Sequence, residues 1–269
     1  MYIDIQERMK KYLLLLIPIV LIAINGCTKI NGHTIVPSTA KGSTGSTGTT
    51  GSTGSTGSTG TTGSTGSTGT TGSTGSTGTA AIDTTKGYSP NVTGTYWKYI
   101  TSGSYADTTT QTVTGTTTIN AKLYSVIAAT STLSGSGTGY VSNVNHIYTE
   151  RQTAQGAIVE ITYLKDDAAV GNTWTAPASD LGTINGIPAR IYGTMTAKNL
   201  TKTVSGITYV NVVHTAVQLQ YNYGGGYTTF GTYDYYITKG VGIIEIDSSA
   251  GGFGTTVNVS SVLVSSQIK

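Results

Sequence analysis

The chain has 269 residues and a formal net charge of +3, and only 10% of its residues are charged, against about 25% in an ordinary globular protein. This weak charge excludes the basic surface by which proteins hold nucleic acid. Cys27 is the single cysteine of the sequence, so an intramolecular disulfide scaffold is excluded as well.

Residues 1–26 predict a secretory signal peptide. Two lysines precede an apolar run of 12 residues, Leu13 to Ile24. A helix that spans a bilayer needs about 20 apolar residues, whereas the apolar part of a signal peptide needs about 7 to 15. Met1 and Met9 are alternative starts, because two acidic residues lie between them in a region that should be basic.

The end of this leader, Ile24-Asn25-Gly26-Cys27, resembles a bacterial lipobox. The resemblance implies cleavage between Gly26 and Cys27 and the attachment of acyl chains such as palmitate to Cys27. Two or three such chains, at about 0.8 kcal/mol per buried CH2, hold a protein stably at a bilayer. We therefore expect the lipid bilayer to be a partner through Cys27. The alternative is an ordinary signal peptide that ends near a cysteine by chance.

An anchor-proximal segment, residues 27–41, leads into a low-complexity tract at 42–79. Every third residue from Gly42 to Gly78 is glycine, and the others are Ser or Thr. Because the tract has no apolar side chain to bury, we predict a flexible tether with a root-mean-square span of roughly 35 Å. Glycine at every third position is also the collagen pattern, although collagen-like tracts carry proline and this one has none. A trimeric stalk stays open as the alternative, and the oligomeric state is undecided.

Residues 83–269 predict an all-β domain. Short runs of Thr, Val, Ile and Tyr alternate there with Gly, Asn and Ser, which are turn residues. Residues 157–164 and 207–223 read as strands, and Gly224–Gly226 reads as a turn into a strand at 227–238. No window of the region shows a helical period.

Three short segments of this domain recur in the same order, which suggests two similar β units, 94–170 and 171–247, that share one core. A closing strand is expected at 255–264. Chance repetition in a sequence of such low complexity is the alternative. The echoes pair Gly94–Trp97 with Gly171–Trp174, residues 112–115 with 203–206, and residues 156–161 with 240–246.

A family resemblance rests on Gly171-Asn172-Thr173-Trp174 and on the segments 206–213 and 235–244. These motifs are similar to those of uncharacterised envelope lipoproteins of Bacteroidota, and the likeness covers most of residues 88–269. The resemblance implies a curved antiparallel sheet or an open β-barrel, and it implies no reaction. It also implies a lipid-anchored place in the cell envelope. We expect the outer membrane, without deciding between its surface and its periplasmic face.

Metal and cofactor sites are not predicted. His33, His146 and His214 lack the spacing of a ligand pair, and Asp166-Asp167 lacks the alternating carboxylates of a calcium loop. We instead expect a packed or half-buried His214 and a solvated turn at Asp166-Asp167.

Catalytic motifs are missing too: the chain has no G-x-S-x-G elbow and no H-E-x-x-H pair. Gly135 to Gly139 is interpreted as a hairpin loop rather than a phosphate cradle, since no helix follows it. Glu160 and Glu245 are two carboxylates of the kind that glycosidases use, but their matching places in the proposed repeat favour a structural role. We therefore predict a protein that is not an enzyme.

The feature most compatible with binding is aromatic. A tyrosine ring is flat and apolar with a polar tip, and it suits sugar faces and protein interfaces. The alternative is that these rings pack in the core. The candidate binding surface comprises Tyr221, Tyr223, Tyr227, Phe230, Tyr233 and Tyr235.

The sequence therefore predicts a membrane-anchored lipoprotein whose non-catalytic β domain binds a ligand, a glycan or an envelope protein. Two alternatives remain. One is a structural or assembly role in the envelope, with a trimer formed through the glycine tract. The other is a polysaccharide hydrolase.

Overall fold

The structure is a computed structural model that describes residues 78–79, 83–154, 156–252 and 255–269. Every regular element in these residues is a β-strand, as the sequence predicted. The strands are β1 (Gly78–Thr79), β2 (Tyr96–Gly103), β3 (Asp107–Ile119), β4 (Lys122–Ser131), β5 (Gly135–Val144), β6 (Ile147–Ala154), β7 (Ala157–Lys165), β8 (Thr173–Pro177), β9 (Thr183–Ile184), β10 (Ile187–Val204), β11 (Ile207–Asn222), β12 (Tyr227–Thr238), β13 (Gly242–Gly252) and β14 (Thr255–Gln267).

The strands form one sheet in the order β7-β6-β5-β4-β3-β2-β14-β13-β12-β11-β10-β8. Neighbours along this path are antiparallel. The chain runs as two meanders, β2 to β7 and β8 to β14, and the pairing of β14 with β2 joins them. The predicted closing strand at 255–264 is thus β14, and it links the two halves of the sheet.

The two ends of the sheet curve back toward each other. The backbone amide of Glu160 on β7 donates to the carbonyl of Ala178, just beyond β8, at 2.8 Å. The hydroxyl of Thr215 on β11 donates to the carbonyl of Tyr163 at 2.7 Å. Residues from nearly all the long strands share one hydrophobic core. The fold is therefore an open antiparallel barrel, which confirms the predicted fold class.

Alternation along β12 shows how the sequence specifies this arrangement. Tyr233, Tyr235 and Ile237 are buried in the core, while Asp234 and Tyr236 between them are half-exposed. Successive side chains of a strand point to opposite faces of a sheet, so one face of β12 packs in the barrel and the other meets solvent. The predicted hairpin over 207–238 is confirmed as β11 and β12.

The prediction of a hairpin loop at Gly135 to Gly139 is wrong. Gly135 begins β5, and the turn lies at residues 132–134. The carboxylate of Asp107 holds this turn, because it accepts hydrogen bonds from the backbone amide of Leu133 at 3.0 Å and from the hydroxyl of Ser131 at 2.7 Å. Burial raises the pKa of Asp107, but these and further hydrogen bonds lower it by more, so the net pKa lies below its usual range.

The first of the three sequence echoes has the same backbone geometry in both halves. Gly94 donates to the carbonyl of Val113, and Gly171 donates to the carbonyl of Met195, each at 2.8 Å. Both glycines have φ +87°, a value that favours glycine. The two segments of the third echo lie in β7 and at the start of β13. These strands hold different places in their halves, because β7 is the sixth strand of the first meander and β13 is the fifth strand of the second, counted along the sheet. The halves 94–170 and 171–247 therefore remain a prediction.

The predicted signal peptide, the Gly26–Cys27 cleavage site, the segment 27–41 and the tract up to residue 77 lie outside the described residues. Within the part that the structure describes, there is no helix of the length and apolarity that crossing a membrane requires.

Candidate functional site

A segment before β2 crosses one end of the barrel. We call residues 83–92 the strap. Its Gly87 carbonyl accepts a hydrogen bond from the amide of Gly240 at 3.0 Å, and its Lys86 ammonium donates to the carbonyl of Lys269 at 2.5 Å. Pro90 of the strap is buried. The strap is thus held to the β12–β13 turn and to the end of the chain.

Beneath the strap lies a cavity of about 40 Å³, which is room for a few water molecules. Its walls come from the strap, from β2 to β7 and from the start of β13. Five of the lining side chains are aromatic and one is a carboxylic acid. The lining residues are Tyr88, Ser89, Asn91, Trp97, Tyr99, Gln111, Ile127, Tyr140, Val141, Glu150, Arg151, Gln152, Tyr163, Gly242 and Ile243.

The acid is Glu150 on β6. Its cross-strand neighbours are Val141 on β5 and Ile161 on β7, and Ile161 is fully buried. The carboxyl oxygen Oε2 is buried and has no hydrogen-bond partner among the described residues. Burial raises the pKa of Glu150 to about 8. A buried polar atom without a partner is uncommon in folded proteins, and together with a shifted pKa in a cavity it marks a candidate site.

The aromatic rings around the cavity are fixed by hydrogen bonds at their polar ends. The Trp97 indole donates to the carbonyl of Val241 at 2.7 Å, and the Tyr99 hydroxyl donates to the carbonyl of Ile243 at 3.0 Å. Burial raises the pKa of Tyr99 well above its usual range, so this phenol stays neutral in the physiological pH range. Tyr163 shares a hydrogen bond with Ser89 of the strap, and burial raises its pKa too. These hydrogen bonds hold three of the aromatic side chains of the cavity in place.

Arg151, the one cation among the described residues that line this cavity, has other partners. Its guanidinium donates to both carboxyl oxygens of Asp180, at 2.5 and 2.6 Å, and it also lies 3.5 Å from Glu160. Residues next to each other on a strand point to opposite faces, so Arg151 and Glu150 leave β6 on different sides. Glu150 therefore has no counter-ion from its neighbour in the sequence.

The two carboxylates named from the sequence lie in separate ion-pair clusters outside this cavity. Glu160 accepts hydrogen bonds from Lys122 at 2.8 Å and from the hydroxyl of Tyr124 at 2.6 Å. Glu245 pairs with Lys202 at 2.9 Å, and burial is the largest cause of its raised pKa. They share no partner, so the arrangement supplies no acid–base pair made of these two groups.

The predicted half-buried His214 is confirmed. Its side chain is 16% exposed, its ring stacks on Tyr236 with centroids 4.5 Å apart, and it bonds Asp234 at 2.7 Å. The expectation of a solvated turn at Asp166-Asp167 holds only for Asp167, which is exposed. Asp166 is largely buried instead, because it accepts hydrogen bonds from neighbouring side chains. No cluster of three or more potential metal ligands occurs in the described residues, and His33 lies outside them.

A shallow groove of about 430 Å³ runs across β12, β13, β14 and β2 on the outside of the sheet. Asp234 and Asp247 face each other across β12 and β13 there. The rest of its lining is mostly hydroxyl and carboxamide side chains, which suit a hydroxyl-rich ligand. This groove is separate in its lining residues from the cavity beneath the strap.

The six aromatic residues of the predicted binding surface do not form one surface. Tyr233, Tyr235 and Tyr221 are 1%, 0% and 4% exposed and belong to the core, because they occupy inward positions of β11 and β12. Tyr223 and Tyr227 are 58% and 40% exposed. Phe230 is partly buried against the core, at 5.5 Å from the Tyr221 ring. The described geometry thus supports the packing alternative for half of the set.

Sequence reasoning missed Glu150, although a signal for it exists. Tyr148 and Glu150 are two residues apart on β6 and share the face that packs inward. The pairing of β6 with β7 shifts by one residue between Tyr148 and Thr149, and the extra residue, Tyr163, lies on β7. This bulge allows both Tyr163 and Leu164 to be buried. The adjacent pair Glu150-Arg151 looks in sequence like a solvated ion pair, and only the register shows that it is not.

The chain shows limited similarity to known proteins. Residues 37–89 match the family model of the collagen triple helix repeat (20 copies). No curated protein matches the chain significantly. A Bacteroides fragilis protein assigned as exported, with a YmcC-like fold, is 10% identical and has a TM-score of 0.39, over 68% of this chain and 99% of that chain. A Parabacteroides distasonis protein assigned as a lipoprotein is 11% identical with a TM-score of 0.41, over 68% and 99%. Similarities of this size do not assign a function.

Proposed function

We propose that the protein is a lipid-anchored, non-enzymatic binding protein of the cell envelope, and that its β domain takes up a small ligand beneath the strap. The observation that carries the proposal is Oε2 of Glu150, a buried oxygen without a partner in a cavity walled by aromatic rings. Small-molecule sites are mostly apolar cavities with a few convergent polar groups, and this cavity has that composition.

Binding is favoured over catalysis by the groups that line the cavity. Among the described residues of the lining, Glu150 is the only carboxylate, and none is a histidine, cysteine or lysine. Glycoside hydrolysis requires two carboxyl groups, and nucleophilic catalysis requires a nucleophile with an adjacent base. A single acid with one buried oxygen, set among neutral phenols, holds a ligand without providing either arrangement.

The cavity proposal is tested with a matched pair of substitutions on β5. Val141 lines the cavity, whereas Val144 on the same strand is 39% exposed and does not. Fragments are screened by methyl NMR against the full chain with Ile127 and Val141 as reporters. Hits are expected to shift Ile127, and Val141→Phe should abolish binding while Val144→Phe leaves it intact. Hits that bind Val141→Phe as tightly as the unchanged protein would refute the site.

The anchor is tested by mass spectrometry of the protein purified from its membrane. The lipobox pattern at residues 24–27 supports the proposal. We expect the mature chain to begin at a Cys27 that carries acyl chains, and Cys27→Ser to release the protein from the membrane fraction. An unmodified Cys27 thiol in the mature protein contradicts the anchor.

A second candidate function is assembly through the glycine tract, which the collagen-repeat match over residues 37–89 favours. A collagen-like stalk brings three copies together, since only glycine fits at the axis of three wound chains. Sedimentation of the detergent-solubilised full chain separates the two cases. A trimer that dissociates when the tract glycines are replaced by alanine supports assembly, and a monomer removes it.

A further inference from the structure

We propose that the cavity beneath the strap binds the ammonium end of a small primary amine, with the Glu150 carboxylate as its counter-ion and the surrounding rings as its walls. This inference rests on the proposed function and names the chemical class of the ligand.

The first argument is charge. The side chains that line the cavity hold no cation free to pair with Glu150, because Arg151 is bound to Asp180 and Glu160. An ionised carboxylate in an apolar site is costly unless it is paired. A ligand cation would supply the missing positive charge, and its N–H groups would donate hydrogen bonds to Oε2 of Glu150.

The second argument is the nature of the walls. Tyr88, Trp97, Tyr99 and Tyr163 line the cavity with aromatic side chains. The face of such a ring is negative and attracts a cation, more strongly as water is excluded. A neutral alcohol of the same shape gains the apolar contact but not this attraction. The walls therefore discriminate between a cation and its neutral analogue.

The third argument is size. A cavity of about 40 Å³ admits a few water-sized groups, which suits a primary ammonium and its first methylene groups. Gln111 and Gln152 line the same space and offer carboxamide oxygens as further acceptors. Three N–H donors of the ammonium can thus be met by one carboxylate and neighbouring acceptors.

The proton balance follows from the groups that face Glu150. These are Tyr99 on β2, Tyr163 on β7 and Tyr235 on β12, and burial raises the pKa of all three, so they stay neutral below pH 10. Burial raises the pKa of Glu150 to about 8, so in the empty cavity the acid is mostly protonated at pH 7. A bound ammonium favours the ionised form and expels that proton to solvent. Affinity should therefore rise with pH up to about 8 and then level off.

The experiment compares propylammonium with n-propanol on the full chain, using the Ile127 and Val141 methyl signals as reporters of the cavity. Propylammonium is expected to bind at least about tenfold more tightly than n-propanol, because only the ammonium can pair with the Glu150 carboxylate through charge-assisted hydrogen bonds. Calorimetry at pH 7 in two buffers of different ionisation enthalpy should show the release of most of one proton per amine bound. The calorimetric measurement is made on the unchanged protein and does not depend on whether a variant folds.

Glu150→Gln should remove both the tenfold preference and the proton release. Asp167→Asn, which removes a carboxylate from an exposed turn, is the matched control and should change neither. Equal affinity for the two probes, or an unchanged preference in Glu150→Gln, overturns the ammonium inference. The ammonium inference is also overturned if neither propylammonium nor n-propanol shifts the Ile127 and Val141 methyl signals. In each of these cases the proposed binding function still stands as long as other fragments enter the cavity and are excluded by Val141→Phe.

Discussion

The barrel has two junctions between its halves, and they are built differently. Where β14 meets β2, a ladder of backbone pairs runs from Val259/Gly103 to Gln267/Tyr96. Where β7 approaches β8, the Glu160-to-Ala178 backbone bond is joined by side-chain contacts. We call these the ladder junction and the side-chain junction. The comparison shows that the two edges of an open barrel can be held together without a ladder when side chains from several strands bridge them.

Each junction carries one tryptophan whose indole reaches the other meander. Trp97 on β2 donates to the carbonyl of Val241 at 2.7 Å, and Trp174 on β8 donates to the carbonyl of Thr162 at 3.2 Å. At the side-chain junction the Trp174 ring packs against Gly193, its cross-strand neighbour. The side-chain junction thus depends on individual atoms, and single substitutions should affect it most.

The largest effect is expected from Gly193→Ala. A Cβ at this position would lie 2.1 Å from Trp174 Cε2, so the indole must leave its place. Overpacking of this kind costs about 3 kcal/mol, measured as the free energy of unfolding in urea. The control is Gly115→Ala on β3, where a Cβ meets nothing within 4 Å. Equal losses in the two variants would show that Trp174 does not control closure.

The next effect is expected from Arg151→Met. Arg151 is 7% exposed and holds Asp180, which is 32% exposed and lies across the side-chain junction. Breaking a buried pair costs about 3 to 5 kcal/mol, and we expect about 2 here because Asp180 stays partly solvated. Thermal unfolding measures it. In a double-mutant cycle with Asp180→Asn, the double variant should lose much less stability than the sum of the two single variants. Losses that simply add would contradict a direct pair.

Acidification should weaken the same pair. The hydrogen bonds from Arg151 are the main reason why the pKa of Asp180 is lowered. A carboxyl whose pKa is lower in the folded state stabilises the fold above its unfolded value of about 4, and it loses that contribution as pH falls through the folded pKa. The unfolding free energy of the unchanged protein should therefore fall more steeply below pH 4 than that of Arg151→Met. Parallel pH profiles would contradict this.

The smallest effect is expected from single hydroxyls, one at each junction. Thr215 donates to the Tyr163 carbonyl at 2.7 Å, and Thr101 shares a hydrogen bond with Ser261 at 2.6 Å. Each is worth about 1 kcal/mol, so Thr215→Val should speed amide hydrogen exchange along β7 about fivefold. Thr101→Val should leave exchange at the ladder junction nearly unchanged, because the backbone pairs remain. Equal local changes would mean that the two junctions are equally dependent on side chains.

Much of the fold follows from local pattern. The alternation over 207–238 and the glycines at 224–226 predict the hairpin of β11 and β12 at nearly its observed bounds, because period and turn residues act over short distances. The predicted loop at Gly135 fails because Asp107, distant in sequence, holds the turn three residues earlier. A hydrogen bond between residues this far apart in the chain cannot be recognised from a short window of sequence.

The candidate site was less predictable than the fold. The tyrosines of β12 were visible as a group, but which of them face inward depends on the register with β11 and β13. Glu150 stands beside Arg151 in the chain, but the two side chains point to opposite faces of β6, and Asp180 from beyond β8 binds the arginine. Partners that come from distant strands decide whether a charge is paired.

The sequence by itself determined the all-β character of residues 83–269, the absence of a disulfide scaffold and the pattern expected of a lipid anchor at Cys27. These follow from residue type and spacing, which act locally. Tertiary structure alone decided how the two edges of the barrel are bridged, which rings are buried, and that, among the described residues, the buried Oε2 of Glu150 lies without a hydrogen-bond partner beneath the strap. The physical reason is that burial and pairing are properties of residues brought together from separate strands, and register sets them.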